Sequence, residues 1–142
     1  MNWQFVRIVT AILVTSLLAA CGDLGDAQAY LDAGSDLQEQ GKLDEALLHY
    51  DKAIGLDAEL TLAYFKRGAL YETRREFAKA LEDYDEAIRL DPQLGEAYFY
   101  RARTKTLQGQ DIEAKQDVGR AVELGLNRAA LEADIERIKF RR

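Results

Sequence analysis

The residues that could carry out chemistry are few in this chain and stand far apart. It contains one cysteine, Cys21, and one histidine, His49, and Ser35 is the only serine after residue 20. A nucleophile needs a base within hydrogen-bonding reach, so Ser35 and His49 would have to form such a pair alone, from two different helices. The sequence carries no His, Cys or carboxylate cluster with metal-ligand spacing and no glycine-rich phosphate loop. We therefore expect no enzymatic activity, no bound metal and no cofactor.

Cys21 follows a segment that is typical of export. Arg7 precedes an uncharged run over residues 8–20, which is too short to span a bilayer comfortably but suits the apolar part of a secretory signal. The run ends in Leu18-Ala19-Ala20-Cys21, which resembles a bacterial lipobox. The resemblance implies a signal peptide over residues 1–20 and a mature lipoprotein whose Cys21 is acylated, palmitate included, and anchored by several acyl chains. An unmodified Cys21 in an uncleaved membrane anchor is the alternative.

The resemblance to lipoproteins also implies a place in the bacterial cell envelope, facing the periplasm. Asp directly after the acylated cysteine favours the inner membrane in enterobacterial lipoproteins; here Asp23 stands one place later, so we expect the outer membrane. Residues 21–26 leave only a short tether. The net charge is −6, and loss of residues 1–20 would make it more negative because Arg7 is their only charged residue. Such acidity disfavours nucleic acid and anionic headgroups as ligands.

Beyond the tether, the sequence matches itself at a shift of 34 residues. Tyrosines, small residues and leucines recur in register: Tyr30, Tyr64, Tyr98; Gly34, Gly68, Ala102; Ala46, Ala80, Ala114; Ala53, Ala87, Ala121; Leu56, Leu90 and Leu124. A period of this length indicates helical hairpins that bury their apolar faces against their neighbours.

The repeated pattern resembles the tetratricopeptide repeat (TPR). The middle unit, residues 61–94, departs only at Arg67, where Leu is usual, and otherwise has the family's residues at the family's spacings: Tyr64, Gly68, Tyr71, Ala80, Tyr84, Ala87 and Pro92. Residues 27–60 and 95–128 match less completely. The resemblance implies an all-α fold, a TPR-type α-solenoid of three helix-turn-helix repeats. An apolar stripe of Leu131, Ile135 and Ile138 predicts a capping helix over residues 129–142.

Within each repeat the pattern predicts two helices and a tight turn. The expected helices cover about 27–39, 43–56, 61–73, 77–90, 95–107 and 111–124. Gly41 and Gly109 fall just after the first helix of their hairpins, where a left-handed residue is favoured. Arg75 takes this place in the second repeat, so we expect it to adopt a positive φ.

Two charged pairs recur at one spacing. Arg67 and Asp83 in the second repeat correspond to Arg101 and Asp117 in the third, and the first repeat lacks both partners. We expect each pair to form a half-buried ion pair across its hairpin. A coincidence among abundant charges is the alternative.

The resemblance also implies a partner-binding groove on the concave side, which the first helices of the hairpins line in this family. Its positions in this sequence are aromatic, aliphatic, small or basic: Leu31, Ser35, Leu62, Phe65, Lys66, Ala69, Phe99, Tyr100 and Arg103. Some TPR domains hold a peptide's terminal carboxylate with Lys and Asn at such positions, and that clamp is missing here. The groove instead suits an extended or helical segment with apolar anchors. Phe65 and Phe99 are alternatively part of the core between repeats.

These features predict a membrane-anchored periplasmic adaptor that holds a protein or peptide partner, as in the assembly of envelope complexes. The alternative is a structural envelope protein that associates with copies of itself as a homo-oligomer and has no separate client.

Overall fold

The structure, a computed structural model, describes residues 26–141. This part of the chain forms seven α-helices and no β-strand, which confirms the prediction of an all-α fold. The helices fall into two compact units, residues 26–60 and residues 61–141. The predicted signal peptide and the acylation of Cys21 lie outside the described residues. None of the described helices combines the length and the apolar character that crossing a bilayer requires.

The first unit is a hairpin of α1, helical over residues 26–39, and α2, Leu43–Leu56. Gly34 of α1 lies against the ring of Tyr50, because a Cβ atom on Gly34 would be 2.6 Å from Tyr50 Cε1. Tyr50 is fully buried and its hydroxyl donates a hydrogen bond of 2.7 Å to Gln38 Oε1. The close approach of the two helices therefore requires a residue without a side chain at position 34.

The second unit contains the five remaining helices. They are α3, Thr61–Thr73; α4, Phe77–Leu90; α5, Gly95–Leu107; α6, Asp111–Glu123; and α7, Arg128–Arg141. Each predicted boundary agrees with these bounds to within one residue. A Cβ atom on Gly68 would lie 2.9 Å from Tyr84 Cε1, so α3 and α4 pack as α1 and α2 do.

All three hairpin turns share one backbone geometry. Gly41, Arg75 and Gly109 have φ angles of 76°, 62° and 83°. The residue after each of them donates its N–H to the carbonyl five residues earlier, as Glu76 does to Tyr71 at 2.8 Å. The positive φ predicted for Arg75 is confirmed, and it is the one side-chain-bearing residue with positive φ in the described part.

Both predicted ion pairs are present, and each joins the two helices of its hairpin. Arg67 donates to Asp83 through Nε at 2.9 Å and Nη2 at 2.7 Å. Arg101 contacts Asp117 in the same two-pronged way, with its Nε 2.9 Å from Oδ2. Asp83 and Asp117 are buried, so their charges depend on these partners.

The junction between α6 and α7 differs from the junctions between the earlier hairpins. α6 ends at Glu123, Gly125 two residues later has a φ of 101°, and Leu126 donates its N–H to Ala121 O at 3.1 Å, as in a Schellman motif. The side chain of Asn127 then caps α7 by accepting a hydrogen bond from Ala130 N at 3.0 Å. α7 packs more closely on α5 than on the helix directly before it, α6. At the preceding junction the order is reversed, because α5 packs more closely on α4, the helix directly before it, than on α3.

Candidate partner-binding site

The first helices of the two hairpins in the second unit carry seven of the nine predicted partner-binding residues. Those on α3 recur at spacings of three and four, as do those on α5, so each set forms one stripe along its helix. The α3 set is Leu62, Phe65, Lys66 and Ala69, and the α5 set is Phe99, Tyr100 and Arg103. We call these seven residues the α3–α5 face.

Aromatic rings join the two helices of this face. Phe65 and Tyr100 are both half-buried and meet edge to face, with ring centroids 5.1 Å apart. Tyr84 of α4 lies beneath them, with its centroid 6.1 Å from each of the other two rings. Phe65 and Tyr100 therefore stabilise the packing of the second hairpin on the third while each keeps part of its surface exposed.

Phe99 takes part in the core, which is the alternative to partner binding that the sequence left open for it. It is half-buried and packs against the cluster of apolar side chains that α5, α6 and α7 bury together, which includes Val118, Leu131 and Ile135. We therefore treat Phe99 as a residue that supports α7 on α5, and not as a main contact for a partner.

Arg103 was predicted as a groove cation, but its charge is already balanced within the protein. Its Nη2 lies 3.2 Å from Glu72 Oε1. Its Nε lies 3.3 Å from Asp134 Oδ2, near enough for charge attraction although not aligned for a hydrogen bond. The guanidinium also lies 4.9 Å from the centroid of the Tyr100 ring. Arg103 thus links α3, α5 and α7, and we do not expect it to be free for a partner's carboxylate.

Glu72 is the centre of a polar cluster that the sequence reasoning missed. Its carboxylate accepts hydrogen bonds from Thr104 Oγ1 at 2.8 Å and Tyr84 Oη at 3.4 Å. Burial raises its pKa, and the nearby Arg103 and these two hydroxyls oppose that rise. The repeat contained a signal for this cluster, since Gln38 and Glu72 are in register and each stands twelve residues before the tyrosine that donates to it.

Lys66 and Leu62 remain available on the α3–α5 face. Lys66 is half-buried and makes no ion pair with any residue from 26 to 141. Leu62, one turn before it, is 45% exposed. An unpaired cation beside an exposed aliphatic side chain can bind an amphipathic segment through one carboxylate and one or two apolar anchors.

The two predicted residues of the first unit differ in exposure, since Leu31 is buried and Ser35 is half-buried. Leu31 is only 2% exposed, so the prediction that it contacts a partner needs correction. Ser35 donates its hydroxyl hydrogen to the carbonyl oxygen of Leu31 at 3.0 Å.

His49 lies against the ring of Tyr30, with ring centroids 5.5 Å apart. Among the described residues no group of His, Cys, Asp and Glu is arranged to hold a metal ion.

Comparisons with known proteins agree with this architecture. Residues 61–94 match the family described as "Tetratricopeptide repeat", and residues 34–73 match the family described as "TPR repeat". No curated protein sequence matches the chain.

Solved structures extend the likeness over most of the chain. The first TPR of Spaghetti (RPAP3), bound to the HSP90 peptide SRMEEVD, is 26% identical with a TM-score of 0.76, over 82% of this chain and 93% of that one. The second TPR of the same protein, bound to the same peptide, is 27% identical with a TM-score of 0.72, over 75% and 97%. The Arabidopsis OM64 TPR domain shares the fold at 19% identity and a TM-score of 0.76, over 84% and 99%. The hairpins, the family matches and these structures together show that residues 34–94 are made of tetratricopeptide repeats.

Proposed function

We propose that this protein is an adaptor that binds a segment of another protein on the α3–α5 face. The observation that carries the proposal is the unpaired Lys66 beside the exposed Leu62, next to the half-exposed rings of Phe65 and Tyr100. The two structural relatives bound to an HSP90 peptide support a peptide-binding role for this kind of surface.

The proposed partner segment is amphipathic and carries apolar anchors with one acidic residue. Lys66 can pair with one carboxylate, whereas Arg103 is held by Glu72 and Asp134. The terminal-carboxylate clamp is absent from the sequence, so we propose an internal segment, not a free carboxyl terminus, as the ligand. Ala69 leaves room for an apolar side chain one turn beyond Phe65.

We further propose that the adaptor acts in the periplasm while anchored to a membrane through acylated Cys21. Of the two membranes, we propose the outer membrane in preference to the inner one. This part of the proposal is supported by the sequence of residues 7–23 alone. Its setting would be the assembly of an envelope complex whose other members contain the bound segment.

Site-specific crosslinking in cells tests the proposed face. A photoreactive residue in place of Leu62 should give a crosslink to one partner protein, and the additional change Lys66→Glu should weaken that crosslink about tenfold because it replaces the attracting charge with a repelling one. A photoreactive residue at Leu48, which is exposed on α2, serves as the matched control. Equal crosslinking from both positions, or no effect of Lys66→Glu, would contradict the proposal.

Sedimentation of the purified protein distinguishes the adaptor from the self-associating alternative. A monomer whose mass does not depend on concentration is expected for the adaptor. A tight homodimer that Leu62→Glu dissociates would instead assign the α3–α5 face to a second copy of the chain.

A further inference from the structure

A second surface of the same unit, separate from the α3–α5 face, is a groove of about 460 Å³ between α6 and α7. Its floor is formed by Val118 and Ile135, which are both nearly buried, and by Gly119. Its rims are charged and mixed in sign: Asp111, Lys115, Arg128, Glu132, Glu136 and Lys139. We call it the α6–α7 groove.

The groove exists because a contact made at the preceding junction is missing here. In the second repeat, Asp85 of α4 pairs with Arg101 of α5, Oδ1 to Nη1, at 2.7 Å. One repeat further along, the residues in register are Gly119 in α6 and Ile135 in α7, which cannot form an ion pair. In addition, α7 packs more closely on α5 than on α6. The space between α6 and α7 is therefore left unfilled.

Gly119 has no packing role within the protein. A Cβ atom on Gly119 would have no heavy atom within 4 Å outside its own helix backbone and chain neighbours. Glycine inside a helix costs about 0.5–1 kcal/mol relative to alanine, so its presence inside α6 calls for a reason. Two helical glycines elsewhere have one, because Gly34 and Gly68 are each covered by the ring of a tyrosine from the facing helix, whereas Gly55 in α2 has no such neighbour.

From this precedent we infer that the α6–α7 groove binds an amphipathic helix of a partner protein, with an aromatic side chain of that helix lying on Gly119. The ring would cover Val118 and Ile135 and would occupy the volume that Gly119 leaves open. An aromatic residue in such a pocket is the kind of anchor that dominates helix-in-groove binding.

The charges at the rim indicate which helices would bind. Arg128 pairs with Glu132, and Lys139 pairs with Glu136, at 3.2 and 2.8 Å. Lys115 makes no ion pair within the described part of the chain and lies one helical turn before Gly119. A partner helix with a carboxylate one turn from its aromatic residue therefore complements the groove.

Two exposed apolar side chains stand near the end of the groove where α6 begins and α7 ends, although neither of them lines it. Ile112 and Phe140, the sequence neighbours of the rim residues Asp111 and Lys139, are 78% and 92% exposed. A bound helix of several turns would reach beyond the groove towards these side chains, whereas a single bound side chain would not.

A designed peptide tests the inference directly. The probe is an alanine-based helical peptide that carries one Trp and, four residues later, one Glu, and the readout is the amide NMR spectrum of the full repeat domain. We expect saturable shifts at Lys115, Val118, Gly119 and Ile135. The same peptide with Trp replaced by Ala should lose these shifts, and replacement of Glu by Lys should weaken binding about tenfold.

Protein variants separate binding from folding. Gly119→Ala should raise the melting temperature, because alanine favours the helix, and yet weaken peptide binding at least about tenfold, because its methyl group meets the ring. Gly55→Ala is the matched control, since Gly55 also has no neighbour within 4 Å but lies in α2. Lys115→Glu provides a second test that leaves the helix intact. Absence of saturable shifts in the α6–α7 groove, shifts confined to the α3–α5 face, or unchanged affinity of both Gly119→Ala and Lys115→Glu would overturn the inference.

Discussion

At the scale of single residues, Arg75 adopts a backbone conformation that its side chain opposes. Its φ of 62° is the left-handed value that Gly41 and Gly109 provide at the equivalent turns. This conformation costs a residue with a Cβ atom about 1–2 kcal/mol in the folded state. Replacement by glycine removes that cost, but it also gives the unfolded chain more conformational freedom, so the net gain in stability is smaller. We expect Arg75→Gly to raise the free energy of unfolding by about 0.5–1 kcal/mol, measured by chemical denaturation. Gly109→Ala is the converse control and should lower it; a clear loss of stability in Arg75→Gly would contradict the shared geometry.

Glu72 makes the stability of the second unit depend on pH. Because burial raises its pKa above the ordinary value of 4.5, the folded state holds this proton more tightly than the unfolded state. Its contribution to stability is therefore fully present below the ordinary pKa and is lost as the pH rises through the raised value. The stability of the wild type relative to Glu72→Gln should increase as the pH is lowered from 7 towards 4.5.

Urea denaturation at several pH values measures this difference. Thr104→Val serves as a second variant, because Thr104 donates to the carboxylate and lowers its pKa. Without that hydroxyl, the pH at which the stability changes should move upwards. A difference between wild type and Glu72→Gln that does not vary with pH would rule out this role for Glu72.

At the scale of helices, the repeat period predicted nearly everything about where α2 to α6 begin and end. It did so because the positions of the small residues fix which faces of the two helices meet, as at Gly68 and Tyr84. It predicted the existence of α7 but not its packing, since the turn at Gly125 and the cap at Asn127 belong to no repeat. The period also could not show that Arg103 is neutralised, because its partner Asp134 lies beyond the last repeat.

The position of α7 on α5 gives a prediction at this scale. Asp134→Asn removes one charge partner of Arg103, and both side chains are about three-quarters buried. We expect a loss of about 0.5–1 kcal/mol, because Arg103 keeps its contact with Glu72, and faster amide hydrogen exchange confined to α7. Glu132→Gln is the control, since its ion pair with Arg128 is exposed. Exchange that accelerates equally in α3 and α4 would show that α7 does not open by itself.

At the scale of the whole molecule, the repeats determine the kind of surface that the protein offers, and the amino-terminal segment determines where that surface would work. If Cys21 is acylated, the short tether of residues 22–26 holds the start of the first repeat within about 17 Å of the bilayer, at about 3.4 Å per residue. The partner segments proposed for the α3–α5 face and the α6–α7 groove would then have to be exposed on the periplasmic side of that membrane.

Replacement of Cys21 tests this placement. Cys21→Ser removes the sulfur that would accept the diacylglyceryl group, so we expect an unprocessed precursor of lower mobility and no incorporation of labelled palmitate. Asp23→Asn, which leaves the cysteine in place, should be processed and acylated normally. Membrane extraction and mobility that are the same for Cys21→Ser and the wild type would contradict acylation at Cys21, and the α3–α5 face would then have to be tested against partners away from the membrane.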